Sequence, residues 1–210
     1  MRATWLLALT PLIGGCATAR SAAPLDAGEL AFGGAAGGPV SLDAGPVPAL
    51  SAGLTYGVSA RVSAHAGGAR AYGLTVLHAG AALEVTPPEG RRPRFMVDLT
   101  AYGAMRGGEL RLLPDVSLLA SWDLGPREHT LYVALDNLVQ LGVEPEPLLW
   151  YPSPQAGGVL WLGPVGLQGQ VGWHGMWRDN DDSPVRWLGA GDRGLLSLQA
   201  GAVIRPWRER

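Results

Sequence analysis

Apolar and polar residues alternate from Leu110 to Asn137 in two runs that are joined by a short polar turn. In the first run, one set of alternate positions, which we call the apolar parity, consists of Leu110, Leu112, Pro114, Val116, Leu118, Ala120 and Trp122. The positions between them, which we call the polar parity, include Arg111, Asp115, Ser117, Ser121 and Asp123. The second run, Thr130 to Asp136, alternates in the same way. A period of two residues predicts strands, and Gly125-Pro126 is typical turn chemistry. We therefore expect a long antiparallel hairpin with one apolar and one polar face.

Units of this kind recur along the chain. Ten strand-like segments can be read: 28–36, 48–57, 61–67, 73–84, 94–104, 110–122, 129–138, 156–162, 165–175 and 194–206. About ten residues suffice for a tilted strand to cross a bilayer. The pattern predicts an all-β fold, an antiparallel up-and-down transmembrane β-barrel of about ten strands. Eight is the alternative count, because 61–67 and 156–162 are short.

The connections between these segments differ in length. Compact turns are predicted at Gly57–Arg61, Val85–Pro93, Asp123–Glu128 and Gly163–Pro164, and long connections at Val139–Gln155 and Met176–Arg193. Short turns at one end and long loops at the other are typical of bacterial outer-membrane barrels with both termini in the periplasm. Pro114 lies inside the clearest strand, where a closed barrel has no free edge for it, so a bulge is expected there.

Aromatic residues cluster near the predicted strand ends, as in the girdles of membrane barrels. One predicted girdle consists of Tyr56, Trp122, Trp161 and Trp207, and the opposite one of Tyr72, Trp150, Tyr151, Trp173 and Trp177.

Composition narrows the function classes. The chain contains 31 glycines and 17 prolines, which disfavour long helices. Its net charge of −2 gives no basic surface for binding nucleic acid. The single cysteine excludes an internal disulfide. We expect no nucleic-acid partner and no cofactor.

The N-terminus carries features of an export signal. Met1-Arg2 precedes a mostly apolar run, Ala3–Ile13, that is too short for a mature membrane helix. The end of this run and the next three residues read Leu12-Ile13-Gly14-Gly15-Cys16, which resembles a bacterial lipobox. That resemblance implies diacylglycerol on the Cys16 thiol, cleavage before Cys16, passage through the lipoprotein-export machinery and, because Ala17 follows, delivery to the outer membrane. The alternative is an ordinary signal peptide cut after Ala19. The predicted organisation is a signal peptide at 1–15, a lipidated tether at 16–27 and a barrel at 28–207.

The last predicted strand contains Gln199-x-Gly201-x-x-Ile204. This resembles the C-terminal signal by which barrel proteins engage the barrel-insertion machinery, although Pro206 stands at the usual final hydrophobic position and Trp207 one place late. The expected partners are therefore membrane lipids and these two machineries, and the expected location is the outer membrane.

If the apolar parity faces lipid, the polar parity lines a narrow lumen. We expect a polar, mostly plugged interior, since ten strands lie between filled and channel-forming barrels. Its predicted polar network comprises Arg111, Asp115, Asp98, Glu84, Asp136, His78 and Arg205, with Arg111 paired to Asp115 or Asp98. Such a lumen should tolerate Ser117→Arg better than the lipid face tolerates Leu118→Arg. In a soluble sandwich or lipocalin-like barrel, the same parity would face inward around an apolar ligand.

Enzyme chemistry has little support in the sequence. Ser63 and His65 share a parity, and His174 is predicted near Asp179, Asp181 and Asp182 at the outer rim. Outer-membrane proteases and lipid A deacylases act at such positions, but their motifs are absent. The acidic run 179–183 lacks the glycine and glutamate of an EF-hand. We therefore expect a non-enzymatic envelope component without a metal site. The alternatives are a lipid-anchored soluble domain that binds an apolar ligand, and a rim hydrolase.

Overall fold

The chain forms a closed antiparallel β-barrel in the computed structural model, which describes residues 22–206 apart from 44, 47, 72, 91, 126–128, 142–147, 180–187 and 190–192. The strands are β1 (Leu30–Ser41), β2 (Gly45–Pro46), β3 (Ala49–Ser59), β4 (Val62–Ala71), β5 (Leu74–Thr86), β6 (Arg94–Arg106), β7 (Glu109–Leu124), β8 (His129–Leu141), β9 (Leu148–Leu162), β10 (Val165–Asp179) and β11 (Arg193–Ile204). Ten are long, and β2 has 2 residues. The predicted all-β, up-and-down barrel of about ten strands is confirmed. No helix in the described part of the chain is long and apolar enough to span a membrane.

Pairing of the first and last strands closes the barrel. Each long strand pairs with its sequence neighbours, and β1 pairs with β11 from Phe32↔Ile204 to Pro39↔Ser197. We followed the paired residues from strand to strand around the barrel, starting at Glu29 just before β1. The path returns to β1 at Ser41, which gives a stagger of about 12 residues. For ten strands this stagger corresponds to a tilt of about 40°. At one end of this seam, the backbone of Leu188 bridges Val40 and Leu196.

The two segments that looked short are full strands. β4 has 10 residues and β9 has 15. The glycines of β4 and the prolines Pro152 and Pro154 of β9 hid their length in the sequence, because both residue types are depleted in strands. The alternative count of eight is therefore wrong.

Prolines in the wall lie where a ladder ends on one side only. The described β7–β8 ladder ends at Asp115↔Leu138, next to Pro114, while the β6–β7 ladder continues to Arg106↔Glu109. The prediction of a bulge at Pro114 is therefore wrong, because the register of β7 does not shift there. Proline has no backbone N–H, so the strand lacks only one ladder hydrogen bond toward β8. Asn137 Nδ2 donates to the Val116 carbonyl oxygen at 2.9 Å in place of a ladder bond.

Connection lengths are less asymmetric than predicted. We call the end that carries the start of β1 and the end of β11 the inner end, and the opposite end the outer end. The longest connection, 180–192, lies at the outer end, but the outer connections 72–73 and 107–108 are as short as the inner one at 163–164. The predicted loop 139–155 consists largely of extensions of β8 and β9, whereas most of the predicted loop 176–193 is the connection 180–192.

The apolar parity faces outward and the polar parity faces inward. On β7, Leu112, Val116 and Leu118 are exposed, whereas Asp115 and Ser117 are buried. The same division holds on β6, where Phe95 and Leu99 are exposed and Asp98 and Thr100 are buried.

The predicted girdle residues divide between the two faces. Tyr56 and Trp150 are exposed on the outer surface, and Trp122 and Trp173 are half-buried. Trp161 is buried inside the barrel because it shares the inward parity of Val159. It therefore does not belong to a girdle on the outward-facing surface. Trp207 and the side chain of Trp177 lie outside the described residues.

Candidate functional site in the barrel interior

An apolar layer fills the interior near the outer end. It consists of Ala49, Ala69, Ala71, Leu74, Val76, Tyr102, Ala104, Leu113, Leu138 and Tyr151. All ten residues are buried and belong to one contact cluster, which we call the outer apolar layer. Its inward side chains come from seven consecutive strands, so they cover most of the cross-section.

A second apolar layer lies near the inner end. It consists of Ala22, Leu25, Ala31, Ala82, Met96, Leu119, Tyr132, Ala134, Val159, Trp161 and Val203. Ala22 and Leu25 belong to residues 22–27, which form no strand and enter the inner mouth. We call residues 22–27 the plug segment. The end of the predicted tether thus lies inside the barrel.

Between the two apolar layers runs a belt of buried polar side chains. On one side of it, Thr100 Oγ1 donates to Asp98 Oδ1 at 2.7 Å, and His65 Nε2 lies 3.1 Å from the same oxygen. The His78 ring stands 5.8 Å from that of His65 and 5.7 Å from that of Tyr102. A buried carboxylate needs such partners, because unpaired it would lose its hydration without compensation.

The opposite side of the belt is a chain of hydrogen bonds across β8, β9 and β10. The Tyr132 hydroxyl donates to Gln170 Oε1 at 2.7 Å, and Gln170 Nε2 donates to Gln155 Oε1 at 2.6 Å. Gln155 Nε2 in turn donates to Asp136 Oδ2. Asp136 was predicted in the network, whereas Gln155 was hidden in a predicted loop.

Arg111 does not make its predicted pairs. Asp115 accepts a hydrogen bond from Ser117 at 2.5 Å, and Asp98 contacts His65 and Thr100 instead. Arg111 lies four residues from Asp115 along β7, about 13 Å at the usual strand rise. Leu113 of the outer apolar layer stands between them, which separates the two charges.

A further cluster of charged side chains lies at the inner mouth. Arg94 Nε lies 2.7 Å from Glu84 Oε2, and Arg94 Nη2 lies 3.0 Å from Asp123 Oδ2. Arg205 stacks over Trp161, with 4.6 Å between Cζ and the ring centroid. Arg94 was missed in the sequence, although it has the inward parity of Asp98.

Two cavities flank the plug segment. One, of about 40 Å³, lies against His65, Asp98 and Ser63 and has room for a few water molecules. The other, of about 150 Å³, opens at the inner mouth and is lined by Arg94, Asp123 and other charged or polar residues. The two cavities can therefore hold water or small polar solutes, and the smaller one does so beside the buried Asp98 carboxylate.

The side chains considered for rim hydrolysis have other partners in the structure, and His65 contacts Asp98. Ser63 Oγ accepts a hydrogen bond from the Leu25 amide at 3.0 Å, and so is engaged with the plug segment. His174 Nε2 lies 2.7 Å from Ser197 Oγ, a pair that sequence spacing did not reveal. Both side chains are 1% exposed, so a substrate has no direct access to this pair.

Metal binding finds no support in the part of the chain that the structure describes. No group of three or more His, Cys, Asp or Glu side chains there is arranged to hold a metal ion. The acidic run from 180 onward lies outside the described residues.

Glycines give the interior rings their space, which leads to a first prediction. A Cβ added at Gly157 would lie 2.5 Å from the Tyr132 hydroxyl and 2.6 Å from the Gly169 carbonyl oxygen. Gly157→Ala should therefore lower the free energy of unfolding by about 1 to 3 kcal/mol through overpacking. The measurement is urea unfolding of the folded barrel in detergent, followed by tryptophan fluorescence.

Gly169→Ala is the matched control, because a Cβ there would meet nothing within 4 Å. It should change stability by less than about 0.5 kcal/mol. Equal losses for both variants would show that the Tyr132 contact does not limit the packing.

The function has to be inferred from this interior and from the outer surface of the barrel. The interior is a filled, layered core with a polar belt, whose polar side chains form hydrogen bonds and ion pairs with one another both along single strands and between strands. Neither a protein-family model nor a curated protein matches the chain in sequence.

Proposed function

We propose that this chain is an integral outer-membrane β-barrel, anchored in addition by lipid at Cys16, that serves as a non-enzymatic envelope component rather than an open pore. One observation carries the proposal: large apolar side chains are exposed on the outer surface of every long strand except β4, whereas buried polar side chains point inward. Soluble monomers rarely expose contiguous apolar patches beyond a few hundred Å².

The height of the wall supports a membrane setting. β1 has 12 residues, and a strand of that length tilted by about 40° rises about 30 Å. The hydrocarbon core of a bilayer has a similar thickness. Exposed leucines lie along much of this height, for example Leu160 near the inner end, Leu118 near the middle and Leu112 near the outer end.

The lipid anchor is compatible with this arrangement. Cys16 precedes Ala22 by six residues, and six residues span at most about 20 Å. Since Ala22 is buried in the apolar layer near the inner end, acyl chains on Cys16 would be within reach of the membrane next to that end of the barrel. The inner end would then face the periplasm, and the C-terminal strand would be available to the insertion machinery.

The soluble alternative fits less well. It requires the apolar parity to face inward around an apolar ligand. Here the inward positions of both apolar layers are filled by the protein's own side chains, such as Leu113 and Tyr132. The cavity at the inner mouth is lined mainly by polar and charged groups.

Fractionation of the Cys16→Ala variant tests the proposal. Without the anchor, an integral barrel should stay with the outer membrane and migrate differently in detergent gels when unboiled, because the folded barrel resists unfolding. The unsubstituted chain, treated identically, is the control. Recovery of Cys16→Ala in the soluble periplasm, without a mobility shift, would contradict membrane insertion.

A further inference from the structure

The plug segment occupies the inner mouth without becoming part of the wall. Leu25 is 1% exposed and its amide donates to Ser63 Oγ at 3.0 Å, yet residues 22–27 join no strand ladder. The wall strands, in contrast, are each paired on two sides. The plug segment can therefore move without breaking a strand ladder.

The plug segment separates the two cavities. Ala23 lines both of them, and Pro24 and Asp26 line only the cavity at the mouth. The smaller cavity ends at His65 and Asp98 in the polar belt. Displacing the plug segment would join the two cavities into one passage from the inner mouth to Asp98.

The walls of this passage carry more negative than positive charge among the described residues. Its carboxylates are Asp26, Glu29, Asp98 and Asp123, and its guanidinium groups are Arg94 and Arg205. Clefts lined by one sign of charge concentrate ions of the opposite sign, more strongly where the walls have a low dielectric constant. A cation is favoured there over an anion of equal size.

Within the described part of the chain, the passage has no continuation toward the outer end. Above the polar belt, the outer apolar layer fills the barrel with Tyr102, Leu113 and Leu138. A solute that enters at the inner mouth must leave by the same route. The arrangement thus suits binding rather than transport.

We propose that residues 22–27 are a displaceable plug over a blind vestibule, which admits small cations such as ammonium compounds to the His65–Asp98 pair. This inference extends the proposed function, but it depends only on the closed barrel and its interior. The plug proposal can therefore be wrong while membrane insertion is right, and membrane insertion can be wrong while the plug proposal is right.

Cysteine accessibility tests the proposal. Because Cys16 is the only cysteine, Cys16→Ala provides a thiol-free background for Ala82→Cys, which lies in the wall of the smaller cavity. The folded barrel in detergent is treated with a trimethylammonium or a sulfonate methanethiosulfonate of similar size. Leu25→Ser, a neutral change that removes the buried side chain of the plug segment, should raise the labelling rate by the cationic reagent at least tenfold. The cationic reagent should also react faster than the anionic one.

Ala104→Cys, in the outer apolar layer, is the matched control and should stay unlabelled with or without Leu25→Ser. Labelling of both cysteines would mean that Leu25→Ser loosens the whole barrel, and so would overturn the proposal. Unchanged labelling of Ala82→Cys would show that the plug segment is a fixed part of the core. Equal rates for the two reagents would overturn the preference for cations. The gel mobility shift, measured on the same samples, reports separately whether the barrel is folded.

Discussion

Leu118→Arg is expected to lower the free energy of unfolding of the barrel in lipid by about 2 to 4 kcal/mol. Leu118 points outward, is 51% exposed and lies near the middle of β7. In a bilayer this position is near the midplane, where an arginine loses most of its hydration. The measurement is urea unfolding from lipid vesicles, followed by gel mobility.

Leu110→Arg is the matched control, because Leu110 also points outward from β7, is 61% exposed and lies near the outer end. Near the interface the same substitution should cost only about 0 to 1 kcal/mol. On a soluble protein, both surface positions would accept arginine within about 0.5 kcal/mol. Equal small losses at the two positions would therefore argue against a membrane-facing surface.

Ser117→Arg cannot serve as the mild control that the sequence suggested. Ser117 is 0% exposed and hydrogen-bonded to Asp115, in an interior that is filled rather than open. An arginine there has no room, so we expect Ser117→Arg to be poorly tolerated, contrary to the expectation from the sequence.

Gln155→Leu is expected to destabilise the barrel by about 3 kcal/mol, independently of the surrounding lipid. Gln155 is the middle member of the chain that links Gln170 to Asp136. Leucine would remove a donor from the buried Asp136 carboxylate and an acceptor from the buried Gln170 amide at once. The free energy of unfolding in detergent and in vesicles measures the loss.

Tyr132→Phe is the comparison for Gln155→Leu, since it removes only the terminal hydroxyl of the same chain. Its expected cost is about 1 kcal/mol. If Gln155→Leu costs no more than Tyr132→Phe, the chain does not act as a connected network, and water replaces its lost bonds.

Period-two alternation was sufficient to predict the fold class and the approximate position of most long strands, although the first half of β9 was predicted as a loop. The alternation did not predict the core. Leu113 and Leu119 share the parity of Asp115 and look like exceptions to a polar face, yet they belong to the outer and inner apolar layers. A wide lumen would have selected polar residues at both positions, whereas a narrow barrel has to fill its own centre.

The candidate site was predictable only in part. Asp98, His78 and Asp136 point inward, as their parity indicated, but, apart from Thr100 beside Asp98, the partners described above come from other strands. The contact of His65 with Asp98 depends on the register of β4, β5 and β6, and that of Gln155 with Asp136 on a strand that contains two prolines. Spacing along one strand cannot supply such contacts between strands.

The seam between β1 and β11 also constrains how the molecule is made. It joins Phe32 to Ile204, and its β1 side is rich in glycine, so backbone hydrogen bonds rather than side chains hold it. Synthesis produces β1 first among the strands and β11 last. Until β11 arrives, the growing sheet keeps two unpaired edges, which are templates for aggregation. Assembly of this barrel therefore requires that nascent edges be shielded until nearly the whole chain has been made.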